Sequence, residues 1–455
     1  MLSLQRIIPG VVIEVVKEIV PPIPNPTGVV ALIGTSDKGP VLEPIRVSSW
    51  REFVGIFGSN PNFSLPKEAK YAFLNGVFEV VGIRVVGTGG KKASVKVPDQ
   101  AGKDALVFEA LSPGSAGNNI EVTIGKGTRE NTVMVSITDG SFYEVYDNLD
   151  MTPDSENYIV NVINTRSKLV RVKPLKTKTE PPSNLPALNV YKLSGGEDPG
   201  EPTKKEYEKA LEVLESEPDV DIVMACDVSD PAIHSLVEAH CMNMSKEAMG
   251  RIGIGTVAPG ESVKDIVKRT QVLKSDRFVL VAPYGVAGAV AGLISRLNYY
   301  ESPTFKPLSG VYHLEKRYTP SELRTLLKAG VLPVAVQRGR GIVVVKGIAT
   351  SGEQISVTRI VDYTVRNVNN IAYQFIGTLN NAAGRSALKE KITEFLIRME
   401  REGSIVPSTD GTQPAYMVDV YSSELDFAQG IVRVDMAIRP VRAIDYVYVT
   451  ILVRV

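Results

Sequence analysis

Residues 252–282 read IGIGTVAPGESVKDIVKRTQVLKSDRFVLVA. The stretch opens on an apolar run, passes through an amphipathic segment and closes on a second apolar run. A half-solvated strand alternates apolar and polar residues, whereas a continuous apolar run of strand length needs cover on both faces. The same unit continues in both directions, with apolar runs at 220–224 (VDIVM) and 331–336 (VLPVAV) and helical segments between them. Strands alternating with helices predict a mostly parallel sheet sandwiched between helical layers, an α/β body. Thr203 and Glu206 cap a helix whose apolar positions are Tyr207, Ala210, Leu211 and Leu214. Thr319, Pro320 and Glu322 supply a cap, an N1 proline and a reciprocal acid, and Gly330 closes that helix. The most apolar helix candidate, 285–297, carries Gly285, Gly288 and Gly292, which predict a close-packed contact.

Toward the N-terminus the α/β character extends through a strand at 29–34 and a short helix started by Ser49 and Glu52, bearing Phe53, Ile56 and Phe57, and stopped by Gly58. A longer helix is expected over 67–78, with Tyr71, Leu74 and Phe78 at helical spacing, followed by a strand at 83–86. From Ser94 to Leu193 the character changes to short alternating runs between turn residues, at 106–110, 120–124, 133–138, 142–146, 159–163 and 170–172. That spacing predicts a β-sandwich inserted into the α/β body. From Ile342 the pattern reads as two strands, then helices over about 364–380 and 386–401, then an antiparallel run. The second helix places Leu388, Ile392, Phe395 and Leu396 inward and Lys389, Lys391, Arg398 and Arg401 outward, on a solvated face or a docking surface.

Both ends of the chain read as strands with no partner close in sequence. In 446–455, Val447, Val449, Ile451, Val453 and Val455 share one face. Near the start, Val11, Ile13, Val15 and Ile19 form an apolar face, and Pro21, Pro22, Pro24 and Pro26 follow as a stiff tether. Such ends either pair within their own domain or add to sheets of neighbouring subunits by β-augmentation.

Composition narrows the function further. Lys plus Arg and Asp plus Glu both number 51 across 455 residues, so no net field draws the chain to nucleic acid or an anionic membrane. Cys226 and Cys241 make neither a disulfide framework nor a zinc site and read as reduced core residues of a cytoplasmic protein. Charges and prolines interrupt the N-terminus, so it does not read as a secretory signal, and no uncharged run reaches membrane-spanning length. Three histidines are present; His234 and His240 lie six apart and do not share a helix face as a metal pair would, and His313 stands alone. No serine occupies a G-x-S-x-G elbow. The Gly-rich loops at Gly34, Gly87 and Gly339 lack the spacing or the Lys-Ser/Thr ending of a phosphate cradle. No catalytic residue, cofactor site or metal site is expected.

Several segments together resemble the contractile tail sheath proteins of myophages and related contractile injection systems. IIPGVVIEVV (7–16) and TGVVALIGTSDKGPVLEPIRVSSWREFVGIFG (27–58) are similar to the N-terminal signature of that family. EALSPGSAGNNIEVTI (109–124) and NLDMTPDSENYIVNVINTRSKLVRV (148–172) resemble its β-sandwich domain. LSGGEDP (193–199) is similar to the start of its α/β domain. GRGIVVVKGIAT (339–350), ISVTRIVDYTVRNV (355–368) and GIVRVDMAIRPVRAIDYVYVTILVRV (430–455) resemble its C-terminal domain. Family members often carry an arginine where this chain has Ile348, Ala349 and Thr350.

The resemblance implies a strand arm and tether over 1–27, an α/β start over 28–93, an inserted sandwich over 94–193, a subtilisin-like α/β domain over 194–347 and a C-terminal α+β domain over 348–455. It implies a non-enzymatic subunit that polymerises with itself into stacked rings around an inner tail tube protein and contracts to drive the tube through an envelope. The terminal strands would be donated between subunits, and the Lys389, Lys391, Arg398 and Arg401 face would meet the tube. Baseplate and tail terminator proteins are the further implied partners, with no cofactor, nucleic acid or membrane insertion. Assembly would occur in the host cytoplasm, and the product would be a virion tail or injection-system sheath. The rival readings are a non-contractile tail or capsid protein and an α/β hydrolase.

Overall fold

The computed structural model describes residues 28–176 and 179–445. The expectations placed on Val11, Ile13, Val15, Ile19, Pro21, Pro22, Pro24 and Pro26, and on Val447, Val449, Ile451 and Val453, lie outside the described residues.

The first elements are β1 (Val29–Gly34), β2 (Ile45–Val47), α1 (Trp50–Phe57), α2 (Ser64–Leu74) and β3 (Glu79–Arg84). The Ser49 hydroxyl accepts the Glu52 N–H at 3.2 Å to start α1, and the Glu52 carboxylate reaches back to the Ser48 N–H at 3.0 Å. The next helix differs from expectation. It stops at Leu74, and its buried face is Leu65, Ala69 and Ala72, while Leu74 is half-exposed and Phe78 lies beyond the helix in solvent.

The inserted segment contains β4 (Ser94–Pro98), β5 (Asp104–Ala110), β6 (Glu121–Lys126), β7 (Val133–Thr138), β8 (Tyr143–Leu149), α3 (Ile159–Arg166), β9 (Val170–Pro174) and β10 (Val190–Lys192). Two antiparallel sheets, ordered β4-β5-β9 and β10-β6-β7-β8, enclose one core with Phe108, Val122, Val135 and Val172. The run at 159–163 is a helix, not a strand. Its apolar residues also satisfy helical spacing, burying Ile159, Val160 and Ile163, and the Asn164 carboxamide pairs with both main-chain groups of Val172 at 2.7 and 2.9 Å. The loop at 112–119 is anchored at both ends of its turn. Ser115 bonds Asp198 through its N–H at 2.7 Å and its hydroxyl at 2.8 Å, and Gly117 is buried against Ala93 and Ala110. One exposed tip of this segment is the turn at Arg129 and Glu130. A peptide tag inserted after Glu130 should leave the thermal midpoint within about 2 °C of the parent, since exposed loop tips tolerate insertion. The same tag after Gly117 should lower it clearly; equal melting curves would show that the 112–119 contacts contribute nothing.

The chain then returns to the main body with α4 (Lys204–Leu214), β11 (Val220–Ala225), α5 (Pro231–Lys246), β12 (Ile252–Thr256), α6 (Val263–Val272), β13 (Phe278–Ala282), α7 (Ala287–Arg296), α8 (Pro320–Lys328), β14 (Val331–Gln337) and β15 (Gly341–Val344). Among the described residues the main sheet has eight strands, ordered β15-β14-β13-β12-β11-β1-β3-β2. The six inner strands are parallel, and β2 and β15 close the edges antiparallel. Alternate residues of β1 serve opposite cores: Val30 and Leu32 meet Phe53, Phe57 and α7, while Ala31 and Ile33 meet Leu211, Val237 and Phe278. Both Cys226 and Cys241 are buried free thiols in these cores.

Two of the three glycines noted in the α7 segment bring it against α2. A Cβ on Gly288 would stand 2.5 Å from the Glu68 carbonyl oxygen, and one on Gly292 would stand 2.3 Å from that of Ala72. Gly285 has open space instead. This backbone approach selects the small stripe Leu65–Ala69–Ala72 as the inner face of α2 and turns Leu74 outward. Glu68 is sealed in the joint, its carboxylate accepting the Gly288 N–H at 2.7 Å. Burial, with Asp227 nearby, pushes its pKa up to about 7 from an ordinary 4.5. A raised carboxyl pKa means the folded state binds the proton more tightly than the unfolded chain. The contribution is therefore complete below about pH 4.5 and lost as pH rises through about 7. Glu68→Gln should remove this dependence. Between pH 5 and pH 8 the parent should lose stability relative to the variant in thermal melts, and parallel pH profiles would refute the assignment.

The last elements are α9 (Ile355–Tyr373), α10 (Ala382–Arg401), β16 (Tyr416–Tyr421), α11 (Glu424–Ala428) and β17 (Arg433–Ile438). Here α9 begins at Ile355 rather than 364, and β15 alone precedes it where two strands were expected. Its inner stripe is Ile355, Thr358, Arg359, Asp362 and Arg366, helically spaced but largely polar, so hydrophobic periodicity does not announce it. β16 and β17 pair only with each other among the described strands; Val418, Val420, Val434 and Met436 face the core containing Leu388, Ile392 and Phe395 of α10.

Candidate functional site: the roots of the terminal segments

In a parallel α/β sheet the helices return the chain to the edge where the strands begin, so helix C-termini gather there. Each carries roughly half a negative charge from its unpaired carbonyls. Buried arginines line this edge. Arg251 donates to Leu214 O, the last residue of α4, at 3.1 Å and also to Glu217 O. Arg359 donates to Leu297 O and Asn298 O, just past α7, both at 3.1 Å. Arg366 donates to Gly250 O at 3.1 Å and to Asp221 at 2.6 Å, and Arg277 pairs with Asp362. Main-chain acceptors thus satisfy much of the positive charge that carboxylates do not. Burial draws Arg251 down to about 10, which leaves it charged at neutral pH.

Gly28 sits at this edge. Its N–H donates to Asp221, whose other oxygen is held by Arg366, so the point where residues 1–27 join the body is tied to α9. Gly28 has φ +93°, and a Cβ would stand 2.2 Å from Ser295 O, so glycine is required there. The other root is fixed near the start of α9. The Gln354 carboxamide accepts the Ala443 N–H at 2.9 Å and donates to Ala443 O at 3.1 Å and to Asp445 at 2.8 Å. Lys346 pairs with Asp445 at 3.1 Å, and the Arg442 guanidinium forks onto Glu353 at 2.9 and 3.0 Å.

The histidines are held apart. On α5, His234 Nε2 lies 2.9 Å from Val228 O, while His240 Nε2 accepts from Arg251 at 2.8 Å. Burial pushes each imidazole down to about 4, with the Arg251 charge adding to the effect at His240, so both rings are neutral near pH 7. His313 is exposed on a separate loop. A cavity of about 20 Å³ among Asp221, Gly250, Tyr299, Asp362 and Arg366 has room for one water and no substrate. No His/Cys/Asp/Glu group among the described residues is arranged to hold a metal. None of the described helices is long and apolar enough to cross a membrane.

On α10, Lys389, Lys391, Arg398 and Arg401 are all exposed. Lys389 reaches Asp419 at 3.1 Å, Lys391 reaches Glu394 at 3.5 Å, and the Arg398 guanidinium lies 5.8 Å from the Phe395 ring centre. Where an arginine was noted as missing, Ile348, Ala349 and Thr350 are buried, and the Thr350 hydroxyl bonds both main-chain groups of Ser275 at 3.0 Å. Sequence reasoning missed the arginine edge and both roots. The available signal was basic residues inside β-branched runs, as at Arg359 and Arg366.

Among the described residues the densest buried polar contacts therefore lie along the arginine edge, at Gly28 and at Ala443 to Asp445. Residues 200–350 match the phage tail sheath protein central domain. The tail sheath protein of Staphylococcus phage Twort is 25% identical over 358 residues, covering 72% of this chain and 58% of that protein, so the match spans somewhat more than half of the relative's length. The sheath tail protein of Listeria innocua superposes with a TM-score of 0.70 at 16% identity, covering 92% of each chain. The helical sheath of the anti-feeding prophage in its contracted state gives 0.57 at 12% identity, covering 98% of this chain and 99% of that one. The chain is thus similar to phage tail sheath proteins in sequence over its central part and in fold over nearly all of its length. Each of these relatives is a sheath protein by name.

Proposed function

We propose that the chain is the subunit of a contractile sheath that polymerises around an inner tube and shortens to drive it through a target envelope. The observation that carries this reading is the pairing of rooted ends with an open acceptor. Gly28 and Asp445 are clamped to the body, strand-patterned segments lie beyond each, and the β16–β17 ladder pairs with no third strand among the described residues. A two-stranded sheet is marginal alone and gains from added strands. In this reading 1–27 and 446–455 are donated to neighbours and extend such ladders, with cross-strand pairs contributing roughly 0.2–1 kcal/mol each. The domain boundaries at 27, 93, 193 and 347 separate arm, α/β core, inserted sandwich and C-terminal domain, and the α/β core has subtilisin-like topology without its chemistry. The sandwich projects outward, and the Lys389, Lys391, Arg398 and Arg401 face meets the inner tube protein. Baseplate and terminator proteins bound the polymer's two ends, which assembles in the host cytoplasm. Co-expression with the cognate tube protein tests this: micrographs should show sheathed tubes, and a subunit that stays monomeric with tubes bare would contradict it.

A further inference from the structure

We infer that α9 is a rigid link joining the roots of the two terminal segments, so that a load on one root is delivered to the other. This rests on the proposed donation of those segments, although the link itself is a property of the single subunit. Gln354, the N-cap of α9, grips the C-terminal root; Arg366, twelve positions on, grips Asp221 and through it Gly28. At 1.5 Å per residue the grips stand about 18 Å apart along the axis. The Gln354 carboxamide exchanges hydrogen bonds with both main-chain groups of Ala443, as a neighbouring strand would.

Between the grips the helix is held at successive turns. Thr358 donates to Asp276 O ahead of β13, Asp362 pairs with Arg277 ahead of β13 and lies against Gly250 ahead of β12, and Arg366 reaches Gly250 O and, at the start of β11, Val220 O. Four residues of helix advance about 6 Å and neighbouring strands lie about 4.8 Å apart, so a helix crossing the sheet edge obliquely passes from β13 past β12 to β11 over these contacts. Ile355–Tyr373 contains neither proline nor glycine, the usual causes of a sharp bend. A shift at Arg366 is therefore carried to Gln354 rather than absorbed between them.

Amide hydrogen exchange on the full-length monomer tests the link. Arg366→Gln removes the clamp on Asp221 and should raise exchange at the Ala443 amide by about 5–150-fold, the usual range for coupled sites. The β11 core amide of Val223 should change far less, which excludes global unfolding. By reciprocity Gln354→Ala should raise exchange at Gly28 and Val29, and this variant serves if Arg366→Gln does not fold. Exchange confined to the mutated end in either variant overturns the link. Coupled exchange in variants whose sheaths assemble and contract normally would confirm the link and remove the donated-segment reading instead.

Discussion

Deleting residues 446–455 should leave a folded subunit that no longer polymerises. The root survives the deletion, because Asp445, Ala443 and Arg442 keep their bonds to Lys346, Gln354 and Glu353. What is lost is a run with five β-branched or aliphatic residues on one face, Val447, Val449, Ile451, Val453 and Val455. If that run serves a neighbour, each subunit junction loses a main-chain ladder and several cross-strand pairs, each worth about 0.2–1 kcal/mol. Multiplied around a ring, that loss abolishes assembly at ordinary protein concentration. Circular dichroism should be unchanged while sedimentation shows monomer. A truncated chain that loses its fold would place the strand within its own subunit.

Lengthening the tether should separate assembly from contraction. Pro21, Pro22, Pro24 and Pro26 lie in sequence between the apolar alternation at 11–19 and Gly28. Proline-rich segments are extended and semi-rigid, so in the proposed reading displacement of one subunit acts directly on the next. Six Gly/Ser residues inserted after Asn25 form a flexible coil whose mean span grows only as about 5–6 Å times the square root of its length, and which resists stretching weakly. Strand pairing is untouched, so sheaths should form. After a mild-denaturant trigger they should remain extended or contract only locally in micrographs. Full contraction would remove the tether from the mechanism.

The main body was legible because its residues obey simple patterns. The runs at 220–224, 252–257, 278–282 and 331–336 have no other use than strands covered on both sides, and each became one. The Thr203–Glu206 and Thr319–Glu322 capping boxes are both formed. The misreadings share a cause, which is that local pattern was overruled by a partner distant in sequence. Leu74 and Phe78 suit a helix face, yet Gly288 and Gly292 draw the small residues of α2 inward instead. Residues 159–163 satisfy two periods at once, and Asn164 decides between them by bonding Val172. The start of α9 was hidden because a helix lying on helix C-termini buries arginine and aspartate where periodicity looks for leucine. The clamps at Gly28 and Ala443 join residues 89 or more positions apart, and no single sequence announces such a pair.

In the proposed reading, donated strands hold the polymer together while its rigid bodies reorient between two states. Negative-stain microscopy of assembled sheaths before and after triggering measures this directly. The expected result is two discrete tube forms from the same subunit, a long narrow one and a short wide one, with no release of subunits between them. A single fixed diameter under every trigger would contradict it and favour a non-contractile tail protein.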